Sequence, residues 1–238
     1  MIAGWMSRRL EPGTVLSRPA VAQGIFELLR RILEERGATL SEQRVAIQGF
    51  GSTGRELAGM LHESHARVVA LSDLSGGLYR DSGLDVAAVI NESAQGRELA
   101  GCSEGDAIDN LDLLRTPCDI LVLAAAPRQV NAWLAQKISA TTVVEAFEHA
   151  LLPGAESVLE EGGCLVIPSL VARVGGTLSI FHEWMERARG VPAAGFDRPR
   201  LLHAWAKVEG AMRSFKVPAK QAALLIAVDR LAGTLRFD

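Results

Sequence analysis

Apolar residues recur along this chain at two periods, and the order in which the periods alternate predicts an architecture. Val21, Ile25, Leu28, Leu29, Ile32 and Leu33 stand at helical spacing, which predicts an amphipathic helix over 21–35 closed by Gly37. Residues 1–19 mix Gly, Pro and Arg without a period and read as an arm. From residue 41 short β-rich runs alternate with helical stretches: a strand over 44–48, a helix over 53–63, a strand over 67–71. The stretch 72–83, rich in Asp, Ser and Gly, suits a loop or small hairpin before a helix that starts near Leu84. Three continuous apolar runs, 118–124, 142–146 and 165–168, have the composition of strands buried on both faces. Helical segments follow them near 128–137, 153–161 and 176–189. This alternation predicts at least five parallel strands wound on both sides by helices, an α/β protein with a doubly wound parallel sheet. Residues 190–198 read as a connection, and 199–215 and 219–236 as two amphipathic helices separated by Pro218. No internal repeat or low-complexity tract interrupts the series.

Composition mostly excludes. With 238 residues, 48% of them hydrophobic, the chain is long enough for one sizeable core. A net charge of -3 offers no basic stripe for nucleic acid or an anionic membrane surface. Cys102, Cys118 and Cys164 are odd in number, far apart and without C-x-x-C spacing, so they read as buried thiols rather than a disulfide framework. The N-terminus carries its charges after its short apolar stretch, the reverse of a signal peptide, and no apolar run approaches a membrane span. The expectation is a cytoplasmic protein with small-molecule partners.

One turn carries specific chemistry. Gly49-Phe50-Gly51-Ser52-Thr53-Gly54 satisfies G-x-G-x-x-G; glycine is common here, so context decides its weight. The motif directly follows the strand 44–48 and opens a helix bearing Leu57, Ala58, Met60 and Leu61, the placement that a dinucleotide site requires. Gly49 permits the tight turn, Gly51 lets the backbone approach a pyrophosphate, and Gly54 lets helix and strand pack closely. Free N–H groups at the helix start then face the anion. The second strand ends in Ser72-Asp73, with Asp73 19 residues past Gly54, where a ribose-binding carboxylate belongs. A carboxylate there repels a 2′-phosphate, so NAD is the expected cofactor and NADP, with Arg80 nearby, the second choice. The fold is thus expected to be Rossmann-type, organised as an N-terminal arm and helix (1–40), a dinucleotide-binding domain (41–190) and a C-terminal helical segment packed on it (191–238).

The same stretches resemble the cofactor-binding domain of the glutamate/leucine/phenylalanine/valine dehydrogenases, over about residues 13 to 238. They are Arg44-Val45-Ala46-Ile47-Gln48-Gly49-Phe50-Gly51, Val69-Ala70-Leu71-Ser72-Asp73, Gly83-Leu84-Asp85, Cys118-Asp119-Ile120-Leu121, Val143-Val144-Glu145, Leu165-Val166-Ile167-Pro168, Gly175-Gly176 and Glu183-Trp184, in the family's order and near its spacing. The resemblance implies oxidative deamination of L-amino acids with NAD or NADP, in a cleft shared with an N-terminal catalytic domain. It implies cofactor contacts at Gly49, Phe50, Gly51, Ser52, Thr53, Gly54, Asp73, Leu74, Ala124, Ala125, Ala126, Gln129 and Glu148. It also implies that the catalytic domain is missing from these residues, with its water-activating lysine and proton-moving aspartate. The four lysines present, Lys137, Lys207, Lys216 and Lys220, stand in no comparable glycine-rich context. No catalytic residue and no metal ligand is therefore assigned.

Departures from the family pattern gather at the nicotinamide and substrate end. Ala20-Val21-Ala22 stands where the family has Ala-Thr-Gly, whose threonine reaches the nicotinamide amide. Glu148 replaces an asparagine that meets the nicotinamide ribose, Arg173 replaces the asparagine of Asn-Ala-Gly-Gly, Ile180 a substrate-binding serine, and Arg128 an asparagine after the third parallel strand. All of these are expected to face that one end.

Other candidates are weaker. Glu145, Glu148 and His149 cluster where a strand should end, and such a loop cluster is more often solvated than catalytic. His182-Glu183 lies within a helix and suits surface or packing roles; His62 and His65 flank a helix end, where a cation complements the dipole. Trp133, Trp184 and Trp205 suit core or interface burial, and Trp5 the arm. No G-x-S-x-G elbow or Walker loop appears. Three readings stand: a dinucleotide-binding protein of this family that does not deaminate alone, a subunit of a split dehydrogenase completed by a partner chain, and an oxidoreductase with a new substrate using Glu148 or Arg173. A homo-oligomer through the two C-terminal helices is compatible with each.

Overall fold

The computed structural model describes residues 17–190 and 196–234. The expected arm, with Trp5, lies mostly outside them, as do 191–195. Seven strands form one sheet in the order β4-β3-β2-β1-β5-β6-β7. Five of them are parallel: β1 (Arg44–Gln48), β2 (Arg67–Asp73), β5 (Ile120–Leu123), β6 (Thr142–Glu145) and β7 (Leu165–Ile167). The Asp/Ser/Gly-rich stretch is the hairpin that its turn residues allow. Its strand β3 (Gly76–Tyr79) runs antiparallel to β2, and β4 (Asp106–Ile108) extends that edge. The sequence reading did not include β4, whose three residues are exposed or half-buried and carry no alternation.

Successive residues of the central strands enter opposite cores, as the strand period of two requires. Val45, Ile47, Ile120, Val122, Val144 and Ile167 join one core; Ala46, Leu121, Leu123, Val143 and Val166 join the other. The β1–β2 register slips between Val45 and Ala46, and Val69 and Ala70 then both fall in the second core. Helices α1 (Ser17–Glu35), α2 (Ser52–Glu63), α3 (Val86–Ala94), α9 (Arg198–Phe215) and α10 (Ala219–Thr234) place apolar residues in the first core. Helices α4 (Asn110–Arg115), α5 (Ala132–Ala135) and α6 (Ala155–Glu161) place theirs in the second. The sheet is doubly wound.

Helix boundaries differ from the periodic reading where local chemistry overrides it. Helix α1 starts at Ser17, so residues 17–19, expected in the arm, belong to it. The helix expected over 128–137 shrinks to α5, because the Asn131 carboxamide accepts from Leu134 N at 2.8 Å and starts it there. Arg128 instead takes left-handed backbone, and Val130 bridges to Leu151. Two short elements follow β7: α7 (Ser169–Ala172) and the long α8 (Val174–Arg189), with Arg173 alone between them. Helix α8 crosses α1 closely, since a Cβ on Gly175 would overlap the Ala20 carbonyl oxygen and lie 3.2 Å from Gly24 Cα. This crossing sets the wall of the site opposite the glycine turn. No described helix is long and apolar enough to cross a membrane.

Candidate functional site

The carboxyl ends of β2, β1 and β5 are tied together just where the glycine turn begins. Gly49 N donates to Ser72 O at 2.8 Å, and Ala124 N donates to Gln48 O at 2.7 Å. Gly49 has φ +101°, and a Cβ on it would sit 2.6 Å from Ala124 C and Ala125 N, so only glycine fits this approach of two loops. A Cβ on Gly54 would overlap the Gly49 carbonyl oxygen. At Gly51 the reverse holds: no atom lies within 4 Å of the Cβ position, which is open groove. Gly51 also caps α2 without any side-chain bond, and the first helical bond runs from Arg55 N to Gly51 O at 2.9 Å. The N–H groups of residues 52–54 therefore precede that bond, free for an anion.

Two cavities meet over this turn, sharing Gly51 and Ala124. The first, 660 Å³, lies over β1, β2 and β5 and contains Gln48, Gly49, Phe50, Asp73, Leu74, Ser75, Glu98, Asn110, Ala125, Ala126 and Gln129 in its lining. Its polar groups hold one another. Asp73 Oδ1 accepts from Ser75 N at 2.8 Å and Ser75 Oγ at 2.6 Å, while Asn110 Nδ2 donates to Asp73 O at 2.9 Å. Gln48 Nε2 donates to Gln129 Oε1 at 3.0 Å, and Gln129 Nε2 to Pro127 O at 3.0 Å. Gln48 Oε1 is buried without a hydrogen-bond partner, an acceptor that a bound donor can satisfy. Leu74 is fully exposed at the rim, and Phe50, only 4% exposed, packs under the Arg55 guanidinium at 5.3 Å.

The second cavity, 570 Å³, continues over β5 and β6 toward α8. It is lined by Val21, Ser52, Thr53, Ala146, Phe147, Glu148, Ser169, Leu170, Arg173, Gly176, Thr177 and Ile180. An ion pair joins Arg173 NH1 to Glu148 Oε1 at 2.8 Å. Phe147 and Leu170 are exposed at its margin.

The sequence matches the model of the Glutamate/Leucine/Phenylalanine/Valine dehydrogenase family over residues 13–234. The chain belongs to this family. It is 31% identical over 226 residues to the catabolic NAD-specific glutamate dehydrogenase of Bacillus subtilis, covering 92% of this chain and 52% of that protein. The NADP-specific glutamate dehydrogenase of Saccharolobus shibatae is 30% identical over 179 residues, 75% of this chain and 42% of that protein. Among solved structures, the hetero-hexameric glutamate dehydrogenase of Thermus thermophilus in its leucine-bound form superposes with a TM-score of 0.83 at 28% identity, over 92% of this chain and 53% of that one. The chain spans about half the length of the relatives it matches.

The thirteen residues expected to contact cofactor gather around the two cavities, with Gly51 and Ala124 common to both. All except Gly54, buried in the turn itself, line one cavity or the other. Val21, Glu148, Arg173 and Ile180 line the second cavity together. Arg128 does not: it lines a separate 520 Å³ cavity with His149, Glu156 and Lys220. Arg128 and His149 both have positive φ, 61° and 55°, and Arg128 N donates to His149 O at 2.7 Å, so that backbone crossing turns them out of the groove. Arg80 lines neither cavity, and its guanidinium lies 3.3 Å from Glu104.

The expected loop cluster of Glu145, Glu148 and His149 comes apart. Glu145 is 3% exposed at the end of β6, where Oε1 accepts from Leu151 N at 3.0 Å and fixes the loop. His182 lies 3.8 Å from Asp197, and Glu183 is buried, so both sit in packing positions. Burial pushes the Cys118 thiol up to about 12 and the Cys164 thiol to about 11, which leaves both inert near neutral pH. Among the described residues no group of His, Cys, Asp and Glu could hold a metal ion. Sequence reasoning missed Ser75, Glu98 and Asn110 in the first cavity and Ser169, Leu170 and Thr177 in the second. Leu170 and Thr177 follow the recognisable Ile167-Pro168 and Gly176 positions, but only the α7–α8 corner brings them to the cavity.

Proposed function

We propose that this chain is a dinucleotide-binding member of the amino-acid dehydrogenase family that does not deaminate an amino acid by itself. The observation that carries the reading is the pair of cavities that meet over Gly51, one on each side of the point where the strand order reverses. The open Cβ position of Gly51 and the free N–H groups beyond it suit a pyrophosphate, with the adenosine over Asp73. Glu98, a second acid lining the adenosine side, and the diversion of Arg80 favour NAD over NADP. When bound, the nicotinamide supplies a hydride donor or acceptor. The residues present bind and orient the ligand, while the water-activating lysine and proton-moving aspartate belong to the catalytic domain that the resemblance places outside this match. A cytoplasmic location is part of the reading.

The working test is calorimetric titration with NAD, NADH and NADPH, paired with an amino-acid scan at the reduced-nicotinamide absorbance band. Binding without reduction of NAD by any amino acid supports the proposal; steady reduction by the chain alone contradicts it. A second reading, a subunit completed by another chain, is favoured by the exposed Phe147 and Leu170 beside the second cavity. Activity that appears only on adding a partner chain would decide for it. The exposed Leu224, Leu225 and Val228 of α10 offer a surface for a partner or a second copy. The new-substrate reading places its chemistry at Glu148 and Arg173, which pair at 2.8 Å in the second cavity.

A further inference from the structure

We propose that the 520 Å³ cavity around Arg128, separate from the groove, binds a small organic phosphate monoester. A ligand there does not need a dinucleotide in the groove.

The cavity is lined from four elements that lie far apart in sequence. Arg128 stands in the loop after β5, His149 in the loop after β6, Glu156 and Ser157 in the first turn of α6, and Lys220 in the first turn of α10. The two loops are bonded edge to edge: Arg128 N donates to His149 O at 2.7 Å, Gln129 N to Ala150 O at 2.8 Å and Leu152 N to Val130 O at 2.8 Å. Arg128 and His149, both at positive φ, line this cavity, while their neighbours Gln129 and Glu148 line the other two. Lys220 Nζ lies 2.7 Å from Glu156 Oε2 and ties α10 to α6. The backbone that carries these groups is thus set before a ligand arrives, which lowers the ordering cost of binding.

The charges in the lining do not balance, since Arg128 and Lys220 face one acid, Glu156. Among the described residues no hydrogen bond or ion pair takes up the Arg128 guanidinium, so its whole fork of N–H donors is open to a ligand. Glu156 accepts from Lys220 and holds the ammonium above its ordinary pKa, so Lys220 stays charged with donors to spare. His149 adds an N–H in either neutral tautomer, and Ser157 a hydroxyl. Donors that meet from separate elements suit a phosphate, whose three terminal oxygens accept more bonds than the two of a carboxylate. The cavity is far larger than one phosphate group. Pro127, Leu152 and Pro153 supply an apolar wall for an organic body.

The test is isothermal calorimetry with phenyl phosphate, inorganic phosphate and benzoate in a chloride buffer, on wild type and on three variants checked by melting temperature. Wild type is expected to bind phenyl phosphate about fivefold more tightly than either other probe. Arg128→Asn keeps a residue that tolerates left-handed backbone and should weaken phenyl phosphate about tenfold, the worth of a charge-assisted hydrogen bond. Glu156→Gln removes the competing acid and should tighten phenyl phosphate about threefold, a gain that lost packing would not produce. ADP-ribose, which carries the pyrophosphate and adenosine of NAD without its ring, should bind Arg128→Asn and wild type alike. Gly51→Val, which fills groove, should keep phenyl phosphate binding. Binding that Gly51→Val removes and Arg128→Asn retains belongs to the glycine turn and overturns the inference, as does absence of heat with phenyl phosphate. Benzoate binding as tightly overturns the phosphate class, and inorganic phosphate binding as tightly overturns the organic body. Phenyl phosphate bound at Arg128, with no heat from ADP-ribose, supports this site while overturning the dinucleotide reading.

Discussion

The two ends of the groove are built from the same strand ends but spend their polar groups differently. At the Asp73 end, neighbours one or two residues away, or on the adjacent loop, restrain each side chain in a pose that still presents acceptors: Ser75 to Asp73, Gln129 to Gln48. At the Glu148 end, one 2.8 Å ion pair joins Glu148 to Arg173 across the cavity. What separates them is whether near neighbours preset one pose or two charged groups meet from separate elements.

The largest effect tests the turn that both ends share. Gly54→Ala places a methyl on the Gly49 carbonyl oxygen, a backbone atom with nowhere to move. The cost should reach about 3 kcal/mol or more, a fall of roughly 6–12 °C in melting temperature for a chain of this size. A melting temperature within a degree of wild type would break the account of the turn as the element that docks α2 onto β1. The next probes the intact end alone. Asp73→Asn should weaken ADP-ribose binding about tenfold, since a charged acceptor becomes a neutral one; unchanged affinity would remove adenosine from that cavity. Restoring one hydroxyl to the other end is a smaller step. Val21→Thr should improve NADH relative to ADP-ribose by about threefold, the value of one neutral hydrogen bond. No change would mean that residue 21 does not meet the ring.

The smallest effect leaves both ends alone and so supplies a control. Burial, with Glu156 nearby, pushes the Glu160 carboxyl up to about 7 from an ordinary value of 4.5. The folded protein thus holds this proton more tightly than the unfolded chain. Stability falls as pH rises from 4.5 through 7 and is level above it. Glu160→Gln removes that loss, so its melting temperature should gain on wild type between pH 5 and pH 8, by a few degrees at most for a group this exposed. ADP-ribose affinity should not move. A variant that tracks wild type across the range would contradict the assignment.

Much of the sheet was legible because its signals are local. A strand, three glycines and a helix lie within twenty residues; backbone contacts require Gly49 and Gly54, while Gly51 leaves its Cβ position open to the groove. The continuous apolar runs marked β5, β6 and β7 because strands buried on both faces need no alternation. Composition cannot show which of several acids closes on what. Glu145 and Glu148 stand three apart in one run, yet the first is buried under Leu151 N and the second spans a cavity to Arg173. The same holds for tryptophan: Trp133 and Trp205 both sit on helices, but Trp133 is 56% exposed beside Arg115 and Trp205 is 2% exposed in the core. Periodicity places a residue on a helix; only the packing of distant elements decides which face is covered. Arg128 illustrates the limit most sharply, since a left-handed residue turns its side chain away from the groove that its sequence position borders.

The most direct test of the central claim is a side-by-side calorimetric titration of ADP-ribose into the wild-type chain and Gly51→Val. The open Cβ position of Gly51 means that valine fills groove rather than protein. The account predicts binding by wild type in the micromolar to sub-millimolar range and none by the variant, with matching melting temperatures. Equal binding by both proteins, or no heat from wild type with ADP-ribose, NAD or NADH, would contradict it.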